Sequence, residues 1–164
     1  MKELTRRPTR IASLGAALAA VIVVGATAVG SPAGAVLAVI GTVSLAAGLV
    51  WGITDATDAG AGLLFVAVVL SGLQGMPPEV TVVGAIAALV ALDLGRSAVE
   101  LGEQLGRETD TRRLEAVHVV SSLSVGLVAA TLGYGVYVFG GGGQPAGGVV
   151  LLLLAVVFLV AALK

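Results

Sequence analysis

The chain has 164 residues, of which only 12 % are charged, and its mean hydropathy is +1.07. Soluble domains carry about twice that charge, and one core of this size could not hide so much apolar surface, so the composition excludes an ordinary soluble domain and indicates a single integral membrane domain. The sequence contains no cysteine, which excludes disulfides, thiol catalysis and cysteine-ligated zinc or iron–sulfur sites.

Six stretches of the sequence are long and apolar enough to cross a bilayer as helices, since each crossing needs about 20 residues. They are unbroken apolar runs and lack the alternation of a membrane barrel's short strands, so the predicted fold is an all-α, polytopic transmembrane helix bundle. The predicted spans are 11–30, 33–53, 59–76, 78–95, 114–139 and 146–163.

The limits of these spans coincide with residues that begin or end helices. The first run follows a basic tail, as a signal peptide does, but it exceeds the apolar core of about 7 to 15 residues found in such peptides, so a retained span is expected. A capping hydroxyl, a capping carboxylate or a first-turn proline precedes or opens the second, third, fourth and sixth spans. These capping positions are Ser31-Pro32, Thr57-Asp58, Pro77-Pro78 and Gln144-Pro145.

Small residues recur at helical spacing within the spans. Such residues let helix backbones approach closely inside a membrane, so these faces are expected to be helix contacts. The clearest pairs are Gly15 with Ala19, Gly41 with Gly48, and Gly84 with Ala88.

Lysine and arginine are confined to three places in the chain. With six spans and a cytoplasmic amino terminus, all three places face the cytoplasm, in agreement with the positive-inside rule. Both termini of this multi-pass cell-membrane protein are therefore predicted to be cytoplasmic, with Trp51 near the inner interface and Tyr134 near the outer one. The basic residues are Lys2, Arg6, Arg7 and Arg10; Arg96, Arg107, Arg112 and Arg113; and Lys164.

More than half of the charged residues lie between positions 92 and 118, where the fourth span is predicted to continue as a cytoplasmic helix and to fold back as a hairpin over 94–114. Two stripes with steps of four, three and four residues lie on opposite faces of this helix. The charged stripe forms i,i+4 pairs in water, whereas the apolar stripe needs a covering surface. The apolar stripe is Leu94, Ala98, Leu101 and Leu105, and the charged stripe is Arg96, Glu100, Glu103 and Arg107.

Two interpretations of this hairpin stay open at the level of sequence. The hairpin either packs on itself with a solvated outer face, or docks a cytoplasmic or membrane protein partner or a second protomer. We expect docking, in a non-enzymatic accessory or scaffold subunit whose other partner is the lipid bilayer. The alternative function is a small-solute or ion transporter or channel, for which Asp93 is the candidate relay. Pairing of Asp93 with Arg96 at the interface explains that acid more simply.

Other motifs carry little weight. The Glu115-x-x-His118 pair is half of a di-metal motif, but the chain has one histidine, so no metal or other cofactor is expected. The sequence Thr131 to Gly135 resembles a potassium-channel filter, yet it lies within one apolar run and is expected to pack as helix. No catalytic constellation and no basic aromatic surface for nucleic acid occur, so neither an enzyme nor nucleic-acid binding is predicted.

The charged stretch 93–118, the segment GYGVYVFGGGGQP and the basic RRPTR start resemble an uncharacterised family of small haloarchaeal multi-span membrane proteins that carry a domain-of-unknown-function label. The resemblance covers nearly the whole chain, and its specific part is the charged stretch. It implies a multi-span fold but no activity, cofactor or catalytic residue.

Overall fold

The computed structural model describes residues 8–105, 117, 120–121, 124–128, 131 and 133–135, without the side chains of 10 and 103–105. Its four long helices are α1 (Arg10–Gly30), α2 (Pro32–Trp51), α3 (Thr54–Leu73) and α4 (Pro78–Leu105). All four are long and apolar enough to cross a membrane. The all-α fold and the first four predicted apolar helices are confirmed. The predicted sixth span, at 146–163, lies outside the described residues.

Short connections make successive helices antiparallel. Ser31 alone joins α1 to α2: its N–H donates to the Thr27 carbonyl at 3.0 Å, and its hydroxyl accepts from the Gly34 N–H at 3.0 Å. This confirms the predicted cap, with Pro32 in the first turn of α2. Gly52 ends α2 in a left-handed conformation with φ of 68°, where glycine is favoured.

The predicted limits of α3 were wrong. The helix begins at Thr54 and ends at Leu73, whereas the sequence placed it at 59–76 with Thr57 and Asp58 as caps. Thr57 instead lies inside the helix, where its hydroxyl donates to the Ile53 carbonyl at 3.0 Å. The end shifts because Gly75 adopts a φ of 101° and turns the chain before Pro78.

The helices pack as a bundle in which α4 contacts both α1 and α3, and α2 packs mainly on α3. Small residues bring the α2 and α3 backbones together, as predicted: a Cβ atom built on Gly41 would lie 2.9 Å from the Gly60 carbonyl oxygen. One hydrogen bond crosses the same interface, from the Ser44 hydroxyl to the Ala56 carbonyl at 3.1 Å.

Large apolar side chains cover the outer surface of α1 and α2. Leu14, Leu18 and Val43 are each more than 60 % exposed, and α2 buries mainly small residues along its α3 face. Water would make such a surface an aggregation site, whereas lipid tails solvate it, so the exposed faces fit a bundle within a bilayer.

The helical residues described between 117 and 135 lie against α4. A Cβ atom built on Gly126 would lie 3.3 Å from the Cγ2 atom of Ile86, and the Tyr134 hydroxyl donates to Oε1 of Glu79 at 3.3 Å. Because residue numbers rise along this segment as they fall along α4, the two run antiparallel. The arrangement agrees with a chain that folds back after α4.

Candidate functional site at the charged end of the bundle

Charge is concentrated at one end of the bundle, where α1 and α3 begin, α2 ends and the last turns of α4 lie. Among the side chains that the structure describes, every charged one except Glu79 belongs to this end. We call it the charged end; its described charged residues are Asp55, Asp58, Asp93, Arg96 and Glu100.

The central contact of the charged end is an ion pair between α3 and α4. Arg96 donates from Nε to Oδ1 of Asp58 and from a terminal nitrogen to Oδ2, each at 2.6 Å. This fork-to-carboxylate geometry is the most directional form of ion pair in proteins. The side chains remain 37 % and 31 % exposed, respectively, so the pair is partly solvated and ties the two helices together near the surface of the bundle.

This pair was not predicted from the sequence, where helical spacing related Arg96 only to neighbours within its own helix. The partner in both hydrogen bonds is Asp58, which lies 38 residues away on α3. Glu100 lies four residues after Arg96 on the same helix, so an i,i+4 relation between them stays a prediction beside the cross-helix pair. The one available signal for a cross-helix partner was Asp58 itself, an acid in the second turn of α3 that has no basic residue at helical spacing in its own helix.

The ion pair lies near one limit of the apolar part of the bundle. Arg96 is about 27 Å along α4 from Pro78 at 1.5 Å per residue, close to the roughly 30 Å thickness of a bilayer's hydrocarbon core. Asp58 lies in the second turn of α3, so both charges are at the same end. At this level long side chains reach the polar interface, which lowers the cost of keeping charge on these helices.

The start of α1 is fixed to α4 by a backbone contact. The Thr9 N–H donates to the Ala98 carbonyl at 3.0 Å, and Thr9 itself is only 4 % exposed. Pro8 lies close to the turn after α2: a Cβ atom built on Gly52 would lie 3.7 Å from the Pro8 Cδ atom. The chain therefore enters the bundle between the end of α2 and the last turns of α4.

The predicted apolar stripe is divided by this junction. Leu94 and Ala98 are buried, and the Leu94 Cδ1 atom would lie 2.7 Å from a Cβ atom built on Gly15 of α1. Leu101 is partly exposed and lies on α4 beyond the level of Thr9. Half of the stripe is thus covered within the chain. The side chains of Glu103 and Leu105, and residue Arg107, lie outside the described ones.

α4 continues as one helix through Leu105, so a helix beyond position 95 is confirmed. At about 1.5 Å per residue its 28 residues measure roughly 42 Å, longer than the 20- and 21-residue α1, α2 and α3. We call residues 99–105 the α4 extension. Its charged Glu100 is exposed, whereas Val99 is 1 % exposed.

The remaining motifs show no chemistry in the described parts. Thr131 and residues 133–135 are helical, and the Thr131 hydroxyl donates to the Leu127 carbonyl at 2.8 Å, which agrees with helix packing rather than a filter. Ser124 likewise bonds back to the Val120 carbonyl at 2.7 Å. No group of metal-ligating residues occurs among the described residues, and Glu115 and His118 lie outside them.

A bundle of long helices with apolar outer faces and charge confined mainly to one end is that of a membrane protein. The chain belongs to DUF7519, a family of unknown function, whose family model matches residues 6–160. The resemblance to a family with a domain-of-unknown-function label is therefore confirmed. Searches of the curated proteins and of the solved structures found no significant match.

Proposed function

We propose that this protein is a non-enzymatic, multi-pass accessory or scaffold subunit that docks a protein partner or a second protomer through the cytoplasmic hairpin predicted over 94–114, of which the α4 extension is a part. The carrying observation is the partly exposed Leu101 on a helix that continues beyond the junction of Thr9 with Ala98. Leu101 would stabilise a complex with a partner or a second protomer if an apolar surface of that molecule covered its side chain.

The ion pair supports this role by holding the base of the α4 extension. Arg96 is one turn before Glu100, and its two hydrogen bonds to Asp58 fix both the rotation and the height of α4 relative to α3. A helix held at its base presents the same face to every partner, which reduces the ordering cost of association.

Changing Leu101 and Leu105 together to glutamate is expected to remove the companions that co-purify from mild detergent, or to reduce the oligomeric state. Two buried carboxylates cannot be accommodated in an apolar interface. Mass spectrometry of affinity-purified protein and light scattering measure the two effects.

The matched control is Gln104→Glu, which adds a carboxylate to the same helix beside the stripe and is expected to leave companions unchanged. Circular dichroism checks that each variant keeps its helix content. Unchanged companions and oligomeric state in a folded double variant would refute the docking role.

A small-solute or ion transporter is the alternative, and it would need a polar path between the helices. The buried hydroxyls of Thr27, Thr57 and Thr81 instead donate to carbonyls of the preceding turn. Ser71 of α3 is the one buried hydroxyl within the described helices that has no hydrogen-bond partner, and a single isolated hydroxyl does not form a polar path. Hydroxyls that donate to their own backbone in this way are not available to bind a solute or ion. This observation favours the accessory role over the transporter. Proton or ion flux in reconstituted vesicles, lost on Asp93→Asn, would favour the transporter.

We also propose six spans in the cell membrane with both termini in the cytoplasm. The Thr9 N–H is bonded to the Ala98 carbonyl of α4. The first basic cluster surrounds Thr9 in sequence and the second begins at Arg96, two residues before Ala98, so both clusters belong to chain segments that meet at the same end of the bundle. The turn at Gln74 and Gly75 has no lysine or arginine.

Reporter fusions test this topology. A cytoplasmic reporter is expected to be active after Gly52 and inactive after Gly75 or Gly142, whereas a periplasm-type reporter shows the reverse. The Gly52 and Gly75 fusions serve as mutual controls because α3 lies between them. Activity of the cytoplasmic reporter after Gly142 would contradict the six-span arrangement.

A further inference from the structure

We infer that Thr57 is the positioning residue of the charged end: its methyl group, packed against Gly95, holds α4 at the place where Arg96 reaches both carboxylate oxygens of Asp58. This role is independent of the proposed docking function, because every contact that carries it lies within the bundle.

Thr57 is fully buried on α3, between α2 and α4. A Cβ atom built on Gly48 of α2 would lie 2.5 Å from the Thr57 backbone nitrogen. A Cβ atom built on Gly95 of α4 would lie 2.7 Å from the Thr57 Cγ2 atom. Each distance is too short for a real side chain, so this one residue of α3 lies close to bare glycine backbone on both neighbouring helices.

The direction of the Thr57 side chain is fixed by hydrogen bonds. Its hydroxyl donates to the Ile53 carbonyl at 3.0 Å, and a β-branched side chain has few rotamers available in a helix. Ile53 is itself tied to α2, because its N–H donates to the Gly48 carbonyl at 2.9 Å. A rotation that moved the methyl group off Gly95 would also move the hydroxyl away from its acceptor.

The ion pair is adjacent to this contact on both helices, since Asp58 follows Thr57 and Arg96 follows Gly95. Both of its hydrogen bonds measure 2.6 Å, and the fork geometry requires the guanidinium and the carboxylate to face each other. A side chain at position 95 would push α4 away from α3 at this level and so disturb the pair. The α4 extension begins at Val99, so the same contact sets the direction in which the extension leaves the bundle.

Moving one methyl group from α3 to α4 tests this role. Gly95→Ala adds a carbon that overlaps the Thr57 Cγ2 atom, whereas Thr57→Ser removes that atom and keeps the hydroxyl. Each single variant is expected to lose most of the coupling between Asp58→Asn and Arg96→Gln, measured as a double-mutant cycle of unfolding in detergent. The combined variant is expected to recover most of the coupling, because the volume at the contact is restored.

Gly84→Ala is the matched control on the same helix. A Cβ atom there would lie 3.1 Å from the Val68 Cγ2 atom of α3, far from the ion pair. It is expected to leave the coupling unchanged, whatever its effect on overall stability, so the coupling separates positioning of the pair from the general cost of tighter packing.

Two results would overturn the inference. One is full coupling of the ion pair in either folded single variant; Thr57→Ser is the milder change and supplies a folded protein for the cycle where Gly95→Ala does not. The other is a loss in the combined variant that equals the sum of the losses in the single variants. Circular dichroism establishes which variants are folded.

Discussion

Gly60→Ala is expected to lower the free energy of unfolding by about 1–3 kcal/mol, although alanine favours helix over glycine. A Cβ atom at this position would lie 2.7 Å from the Leu45 Cα atom and 2.8 Å from the Gly41 carbonyl oxygen. Both obstacles are backbone atoms of α2, so a side-chain rotation cannot relieve the overlap. α2 and α3 would have to separate along the contact that also contains the hydrogen bond from Ser44 to Ala56.

Gly62→Ala in the same helix is the matched control. No atom lies within 4 Å of a Cβ built there, so the substitution is expected to leave stability unchanged or raise it by up to about 1 kcal/mol. Equilibrium unfolding in mild detergent titrated with a denaturing one, followed by circular dichroism, measures both. Equal effects of the two substitutions would show that helix propensity, rather than close contact of α2 with α3, determines the result.

The spans were predictable because a bilayer imposes a length and leaves no alternative to internal backbone hydrogen bonding. The limits were predictable where proline or a capping hydroxyl marks them, as at Pro32 and Pro78, which begin α2 and α4. α3 lacks such a mark: its N-cap is Ile53, which makes no side-chain capping bond. The start of α3 was therefore predicted at the capping residues Thr57 and Asp58, and not at Thr54, where the helix begins.

The charged end was less predictable, because helical spacing relates residues only within one helix. The periodicity correctly placed Leu94 and Ala98 on one face, but it carried no signal for α1 as the surface that covers them. The decisive contact there, from Thr9 to Ala98, joins two backbone groups and leaves no trace in side-chain identity. The ion pair of Arg96 likewise depends on how α3 is placed against α4.

Breaking the ion pair is expected to have the second large effect. Asp58→Asn or Arg96→Gln should each lower the free energy of unfolding by about 1.5–3 kcal/mol, the range for hydrogen bonds to charged groups. Each substitution also leaves the other charge without its bidentate partner on a helix near the membrane limit, which adds to the cost. Because both side chains remain about one-third exposed, water replaces part of the loss and keeps the effect below that of a fully buried pair.

The double variant Asp58→Asn/Arg96→Gln separates the pair from its members. It is expected to lose less than the sum of the single variants, since one interaction cannot be broken twice. Asp55→Asn is the control: this exposed acid occupies the first turn of α3, where a negative charge stabilises a helix by about 0.3–1 kcal/mol, so its loss should be smaller. Strictly additive single effects would mean that Asp58 and Arg96 act independently. The ion pair would then not be what holds α4 against α3 at the charged end.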